Sequence, residues 1–303
     1  MMKPEPLQDL VTVIIPCYNH SHYLGEAVES VLKQSHSNYE IIVVDDGSTD
    51  DSKAVAEKYP SVQYIYQSNQ GLSAARNTGV TNSKGTFLVF LDADDWLYPE
   101  ALEINLGYLL PDEKVAFVSG AFKVYDQFKG MEGFPKKNVD GLHYQELLKM
   151  NYIGMHATVM YRRWVFDHFC YDTSLKACED YDLYLKIARS YPVLHHTKLI
   201  AAYRKHTTNM SSNVMMMIDA TFTVLDRQKA ILQNESELKS LEKGEQNWKR
   251  YYGIQLYLML KNQPLYEKSN KTMLSLLWAY NPKWYFRLFA YKIVAGVKNF
   301  VGS

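Results

Sequence analysis

The sequence predicts an α/β fold built on a mostly parallel sheet flanked by helices, followed by a C-terminal helical extension. Three observations carry that expectation. The runs "VTVIIP" (11–16) and "YEIIVV" (39–44) are continuously apolar and rich in Val and Ile, as in strands buried on both faces of a parallel sheet. Between such runs the hydrophobic period switches to that of a helix. From about residue 214 onward only helical patterns remain.

The elements follow in order. "NHSHYLGEAVESVLKQS" places Leu24, Ala27, Val28, Val31 and Leu32 at helical spacing, and Asn19 or Ser21 can cap its start, which completes a βαβ unit. "SVQYIY" (61–66) is a third strand, and a helix from about Gly71 to Thr81 buries Leu72, Ala75, Gly79 and Val80. "TFLVFL" (86–91) is a further strand; "EALEINLGYLL" follows as a helix with Pro99 near its first turn. "VAFVSG" (115–120) is another strand. From about 121 to 178 the pattern loosens, punctuated by Gly130, Gly133, Pro135 and Gly141, and loops of this length are usually functional or mobile. "EDYDLYLKIARSY" (179–191) restores a helix, and "PVLHHTKLI" and "AAYRKH" read as two short strands. In the last part, "NESELKSLEKGEQNWKR" is a charged, solvated helical segment.

Of the 303 residues 47% are hydrophobic and 22% charged, which suits a large core and excludes global disorder. Lys+Arg and Asp+Glu are equal at 33 each, so nothing marks a nucleic-acid partner. Cys17, Cys170 and Cys178 are too scattered for a zinc or disulfide framework, which fits a reducing cytoplasm. "MMKPEPLQDL" has neither the basic nor the apolar region of a signal peptide, and no apolar run is long enough to span a bilayer. The tail "MLSLLWAYNPKWYFRLFAYKIVAGVKNFV" (273–301) supports two readings. It is either a packed helix pair or an interfacial amphipathic segment with Lys283, Arg287, Lys292 and Lys298 among its aromatics.

In a parallel sheet, ligands bind beyond the carboxyl ends of the strands. "CYNHS", "DDGSTDDS" and "DADDW" all lie at such ends. In the second, a turn and helix cap account for Gly47, Ser48 and one aspartate. A further acid there can accept hydrogen bonds from a nucleobase or ribose. "QGLSAARNTG" (70–79) opens a helix with Arg76 in its first turns, either a solvated arginine or an anion contact. In "DADD", alternation along an extended strand aims Asp92 and Asp94 at one point and leaves Asp95 to cap the helix near Pro99. Converging carboxylates call for a cation, and an all-oxygen pair suits a hard divalent ion that also binds substrate phosphates. "ACEDYDLYLK" (177–186) gathers Glu179, Asp180 and Asp182 at a helix start, as caps or as a general base. His206, after "AAYRK", is either structural or a metal or phosphate contact.

Taken in order, "VTVIIPCYNHSHYLGEAVESVLKQS", "YEIIVVDDGSTDDS", "NQGLSAARNTG", "FLVFLDADDW", "ACEDYDLYLK" and "YRKHTTNMSS" resemble a family 2, GT-A-type inverting glycosyltransferase over residues 10–213. The resemblance implies a GT-A, Rossmann-like catalytic domain over residues 1–213 and a helical extension over 214–303. It implies that Pro16, Tyr18 and Asn19 line a nucleotide pocket, that Asp46 binds the base, and that Arg76 lies near the diphosphate. Asp92-Ala93-Asp94 then matches the "DxD" motif, with Asp94 on Mn²⁺ or Mg²⁺, His206 close to the metal or diphosphate, and Asp180 as catalytic base. The donor implied is a nucleoside-diphosphate sugar, a UDP-sugar first, passing a hexosyl or N-acetylhexosaminyl group. The acceptor would be a glycan or lipid-linked hydroxyl in bacterial surface polysaccharide synthesis. The expected location is cytoplasmic, with peripheral contact at the inner face of the membrane through the tail. No block after residue 214 matches the family pattern.

Other classes fit less well. "IIVVDDG" also resembles a receiver domain, which needs no "DADD…ED…H" series. A nucleotidyltransferase would show a Gly-rich basic loop where "IIPCYNHSHY" stands. A nucleotide-sugar-binding protein without catalysis would not need a base beside a metal acid.

Overall fold

A computed structural model describes residues 9–133, 137–265, 267 and 270–301, with the side chains of 295–301 left aside. Pro135, the start of "MMKPEPLQDL" and the side chain of Lys298 lie outside the described residues. The chain divides into two compact units: residues up to Leu147 with Asn151–Thr208, and Leu148–Met150 with the residues from Asn209.

The first unit carries the sheet. Its strands are β1 (Val11–Cys17), β2 (Tyr39–Asp46), β3 (Val62–Gln67), β4 (Phe87–Phe90), β5 (Trp96–Leu97), β6 (Phe117–Asp126), β7 (Gly130–Glu132), β8 (Val159–Arg162) and β9 (Val193–Lys205). Its main helices are α1 (Ser21–Leu32), α2 (Ser52–Ala56), α3 (Leu72–Asn82), α4 (Ala101–Leu109), α5 (His143–Lys149) and α6 (Glu179–Ser190), α5 running on into the second unit. The order across the sheet is β3-β2-β1-β4-β8-β6-β9-β5, with β7 on β6. β3, β2, β1 and β4 are parallel; β8 runs antiparallel to β4 and β6, and β9 runs parallel to β6. The α/β fold class is as expected, and the mixed half is where the sequence pattern loosened. There, α5, β7 and β8 occupy the stretch that read as irregular, because each is short and carries little periodic signal. The two strand pieces expected at 192–206 are one strand, β9, whose pairing with β6 slips twice between Ser119 and Phe122. The slips break the alternation that would have marked it as continuous.

Two features set the geometry of the sheet's carboxyl edge. β1 and β2 are buried along their full apolar runs, which explains their lack of alternation. Pro16 is tolerated in this central strand because β4 pairs with β1 only as far as Ile14↔Phe90. The Ile14 carbonyl faces β4, accepting from Leu91 N, and Pro16 faces the same side two residues further on. Its missing N–H therefore falls where β4 has already turned away. Across from it, Gly79 lets α3 lie directly on β1: a Cβ there would stand 2.3 Å from Ile14 Cγ2.

The second unit is helical: α7 (Val214–Lys229), α8 (Glu235–Lys261), α9 (Asn270–Tyr280) and α10 (Pro282–Val301). Asn213 and Asn234 cap α7 and α8 by accepting from Met216 N and Glu237 N. Leu256, Leu260, Leu277 and Leu288 are fully buried in its core. Among the described residues no helix is long and apolar enough to cross a membrane.

Candidate active site

The carboxyl ends of β1, β2 and β4 lie side by side, so the loops after Cys17, Asp46 and Phe90 emerge along one edge. Their side chains lock the edge together. Asn19, with φ +55°, accepts through Oδ1 from Thr49 N (2.8 Å), and its own N–H donates to Ser48 Oγ (2.9 Å). Asn19 thus clips the β1 loop to the β2 loop rather than capping α1; Ser21 N donates instead to Asp50 Oδ2 (2.9 Å). Tyr18 beside it is 50% exposed, an aromatic face open to a ligand, whereas Pro16 is buried in β1.

The two acids ending β2 do different work. Asp45 accepts from Ser48 N (2.7 Å) and Tyr64 Oη (2.6 Å) and so builds the turn. Asp46 accepts from Gln67 Nε2 (2.7 Å), Gln70 N (2.9 Å) and Gly71 N (2.8 Å), tying β2 to the loop that opens α3. Gly47, directly after them, is held at φ +81° with Asn69 N only 2.8 Å from where a Cβ would stand, so no larger residue fits this turn.

β4 stops at Phe90, and residues 92–95 form a turn closed by Asp95 N donating to Asp92 O (3.0 Å). Strand alternation therefore does not govern the three acids, and each meets a different environment. Asp92 accepts from Arg76 Nη2 (2.8 Å) and keeps about a third of its side chain exposed, at 34%. Ala93 is buried. Asp94 Oδ2 lies 2.9 Å from His206 Nε2, and its carbonyl accepts from Arg204 Nε (2.8 Å). Asp95 is not the cap of α4, which begins six residues on; its Oδ1 accepts from Arg204 N (2.8 Å). Burial, followed by the charges of Asp94 and Asp92, pushes the Asp95 carboxyl well above the usual range.

His206 is fixed from several sides. The Tyr23 ring stacks on it at 5.2 Å, His20 stands edge-on at 6.1 Å, and Thr208 Oγ1 lies 2.8 Å from Nδ1. Asp94 and His206 are 112 residues apart in sequence and adjacent in space. Among the described residues no group of three or more His, Cys, Asp or Glu side chains is gathered to hold a metal. An ion bound by this Asp–His pair would need oxygens from a ligand to complete its shell.

Of the two alternatives for Arg76, a solvated side chain or an anion contact, the first does not hold: Arg76 is 2% exposed. Nη1 donates to Glu179 and Nη2 to Asp92. Glu179 and Asp180 open α6, entered through Cys178 in a left-handed backbone (φ +59°). Asp180 Oδ1 accepts from Tyr181 N (2.7 Å). Burial first, and then the neighbouring Glu179 carboxylate, push Asp180 up to about 7, against an opposing pull from Arg76. Beneath it His156 shares its two ring nitrogens with Tyr184 Oη (2.6 Å) and Tyr171 Oη (2.7 Å). That closed polar network holds α6 against the end of β4, where Phe90 stacks on His156 at 5.2 Å.

In the sequence Glu179 is one of three acids that could cap a helix or serve as a base, with nothing to link it to Arg76, and Tyr23 shows no role. No spacing rule relates either residue to its partner, and only the fold brings them together. Arg204, two residues before His206, holds the backbone of the acidic turn while its guanidinium lies over Trp96 (4.7 Å) and Tyr23 (4.9 Å).

Residues 12–169 match the family model described as "Glycosyl transferase family 2". An uncharacterized glycosyltransferase of Rickettsia typhi is 32% identical over 236 residues, covering 73% of each chain. The match to longer curated relatives from Rickettsia felis and Rickettsia conorii spans only 30% of their length. Among solved structures, S. aureus TarS 1-349 in complex with UDP-GlcNAc superposes with a TM-score of 0.63 at 16% identity, over 89% of this chain and 80% of that one. The mannosyltransferase PcManGT of Pyrobaculum calidifontis, in complex with GDP-Man and Mn²⁺, gives 0.62 at 19% identity, over 96% and 86%. At those identities the likeness is one of fold.

Proposed function

Because the chain belongs to glycosyl transferase family 2, we propose that it transfers a sugar with inversion from a nucleoside-diphosphate sugar, a UDP-sugar first, to an acceptor hydroxyl. The observation that carries this reading is the arrangement around Asp92-Ala93-Asp94. His206 meets this turn at Asp94, Arg76 meets it at Asp92, and Asp180 stands one residue from the glutamate that shares Arg76.

In this reading residues 1–213 are the catalytic domain and 214–303 an extension. Pro16, Tyr18, Asn19 and Asp46 form the nucleotide end of the site, with the exposed Tyr18 ring as a platform for the base. Asp92 and Ala93 border the sugar and diphosphate. Arg76 acts at the donor through Asp92, since both of its terminal nitrogens are already engaged by carboxylates. Asp94 would hold Mn²⁺ or Mg²⁺ through the carboxylate oxygen such ions prefer, with His206 beside it as a nitrogen neighbour that suits Mn²⁺ better than Mg²⁺. When bound, that ion supplies charge compensation for the leaving diphosphate. Asp180 takes the proton from the acceptor hydroxyl, and attack from the face opposite the leaving group inverts the anomeric centre. PcManGT was solved with GDP-Man and Mn²⁺ and TarS with UDP-GlcNAc, which supports donor class and metal alike.

The acceptor in this reading is a glycan or lipid-linked hydroxyl of bacterial surface polysaccharide, met at the inner face of the cell membrane. What supports the membrane part is α10. Leu288 is fully buried in the helical unit and Trp284 lies 4.6 Å from Tyr257, while Phe286 (62% exposed) and Ile293 (68%) project on the other side. From Asn270 to the end the sequence contains Lys271, Lys283, Arg287, Lys292 and Lys298 and no acid. An apolar stripe in a purely basic segment is complementary to an anionic bilayer surface.

The test is a thermal-shift series of UDP- and GDP-sugars with and without Mn²⁺. A specific donor raises Tm by mass action, and it does so more strongly with the ion present. Absence of a metal-dependent shift with every donor would remove the metal from this reading; absence of any shift would remove the donor.

A further inference from the structure

Arg76, Asp92 and Glu179 come from three separate stretches of sequence and meet in one buried fork. Arg76 is seated by α3, which Gly79 brings onto β1. The next residue on that helix, Asn77, exchanges two hydrogen bonds with the Tyr171 backbone, donating from Nδ2 to the carbonyl (2.9 Å) and accepting from N (3.0 Å). α3 therefore grips the segment leading into α6 at two successive side chains, Asn77 and Arg76. Arg76 also lies 5.5 Å from the Tyr171 ring centroid, and its Nε has no partner among the described residues. A guanidinium is planar, so engaging two carboxylates with its two terminal nitrogens fixes the angle between them as well as their distance. Glu179 is 5% exposed and thus out of reach of bulk water, whereas Asp92 remains partly open to the edge. The strained Cys178 immediately before Glu179 means that the α6 entry needs an external tether to hold its conformation.

We infer that Glu179 is a positioning residue: by sharing Arg76 with Asp92 it sets the placement of the α6 N-terminus, and with it Asp180, relative to the donor-binding turn. This rests on the reading of Asp180 as the base. Glu179 itself touches neither substrate nor ion; it acts through Arg76. Loosening the tether leaves Asp92 held by Arg76, so donor binding persists while the base loses its geometry. Misplacement of a catalytic group by about 1 Å costs on the order of 100-fold in rate.

The experiment compares wild type with Glu179→Gln, Glu179→Asp and Asp180→Asn in the full chain. It measures kcat, donor KM and Tm with a donor that gives a thermal shift. Glu179→Gln is expected to lower kcat about 10- to 100-fold with donor KM within about threefold, the split expected when transition-state geometry alone is lost. Glu179→Asp keeps the charge but shortens the reach, and is expected to fall between it and wild type. If Glu179→Gln does not fold, Glu179→Asp alone decides, a drop in kcat at unchanged KM supporting the inference. Wild-type kcat in the folded variants, or a loss that follows only the fall in Tm, would overturn it. Normal turnover in Asp180→Asn would instead overturn the assignment of the base, which that variant reports separately.

Discussion

The Asp180 carboxyl, raised to about 7 by burial and by Glu179, makes two predictions with opposite signs at the residue scale. The proposed base works as the carboxylate, so kcat is expected to climb about tenfold per pH unit below 7 and to level off above it. Asp180→Asn is expected to lower kcat by about 100- to 10,000-fold, which a radiolabelled transfer assay reads directly. For stability the sign runs the other way. The folded state binds this proton more tightly than the unfolded chain, whose Asp titrates near 4. The group's contribution to stability is therefore complete below about 4 and is lost as pH rises to about 7. Above pH 7 Asp180→Asn should thus have the higher Tm, and near pH 4 the two proteins should converge. Thermal melts across that range check it, and a variant less stable than wild type at pH 8 would contradict the assignment.

At the scale of elements, the site depends on how closely α3 lies on the sheet. Gly79 has no Cβ, and one added there would stand 2.3 Å from Ile14 Cγ2 and 3.2 Å from Cγ1, inside the fully buried β1. Gly79→Ala is expected to cost about 1–3 kcal/mol by overpacking. Because α3 also carries Arg76, the shift should reach the Asp92–Glu179 fork and raise donor KM or lower kcat. Urea denaturation and steady-state kinetics on one preparation measure both. The buried His156–Tyr171–Tyr184 network has the same role from the other side, fixing α6 through groups too deep to contact a ligand.

On the scale of the whole molecule, the chain has no net formal charge, with 33 basic and 33 acidic residues, yet its last 34 residues carry five basic side chains and no acid. That segregation matters more than the total. Association with vesicles containing phosphatidylglycerol is expected, with little binding to phosphatidylcholine alone and weakening as salt rises. Phe286→Ser together with Ile293→Ser should reduce the bound fraction in sedimentation about tenfold or more, as both side chains are exposed and their loss leaves the helical core intact. Equal binding to both lipids, or self-association replacing lipid binding, would contradict the membrane reading.

The sequence by itself determined the βαβ order, the apolar strand runs ending near Pro16, Val44 and Leu91, and the acids near those ends, because buried parallel strands and amphipathic helices write their periods into the chain. It also placed an acidic pair just after β4 and a Glu-Asp pair at the opening of a helix. Only the tertiary structure decided what each acid meets. Strand alternation predicted that Asp92 and Asp94 act as a pair, but β4 ends early, and the turn sends one to Arg76 and the other to His206. The sequence offered Arg76 to solvent or phosphate; the close packing of α3 buries it between two carboxylates. The short strand β8 and helix α5, and the continuity of β9, were equally invisible, since their existence depends on partners far along the chain. The physical reason is common to all of these. Local periodicity reports which face of an element is buried, whereas the partner of a buried charge is set by which elements the fold brings into contact.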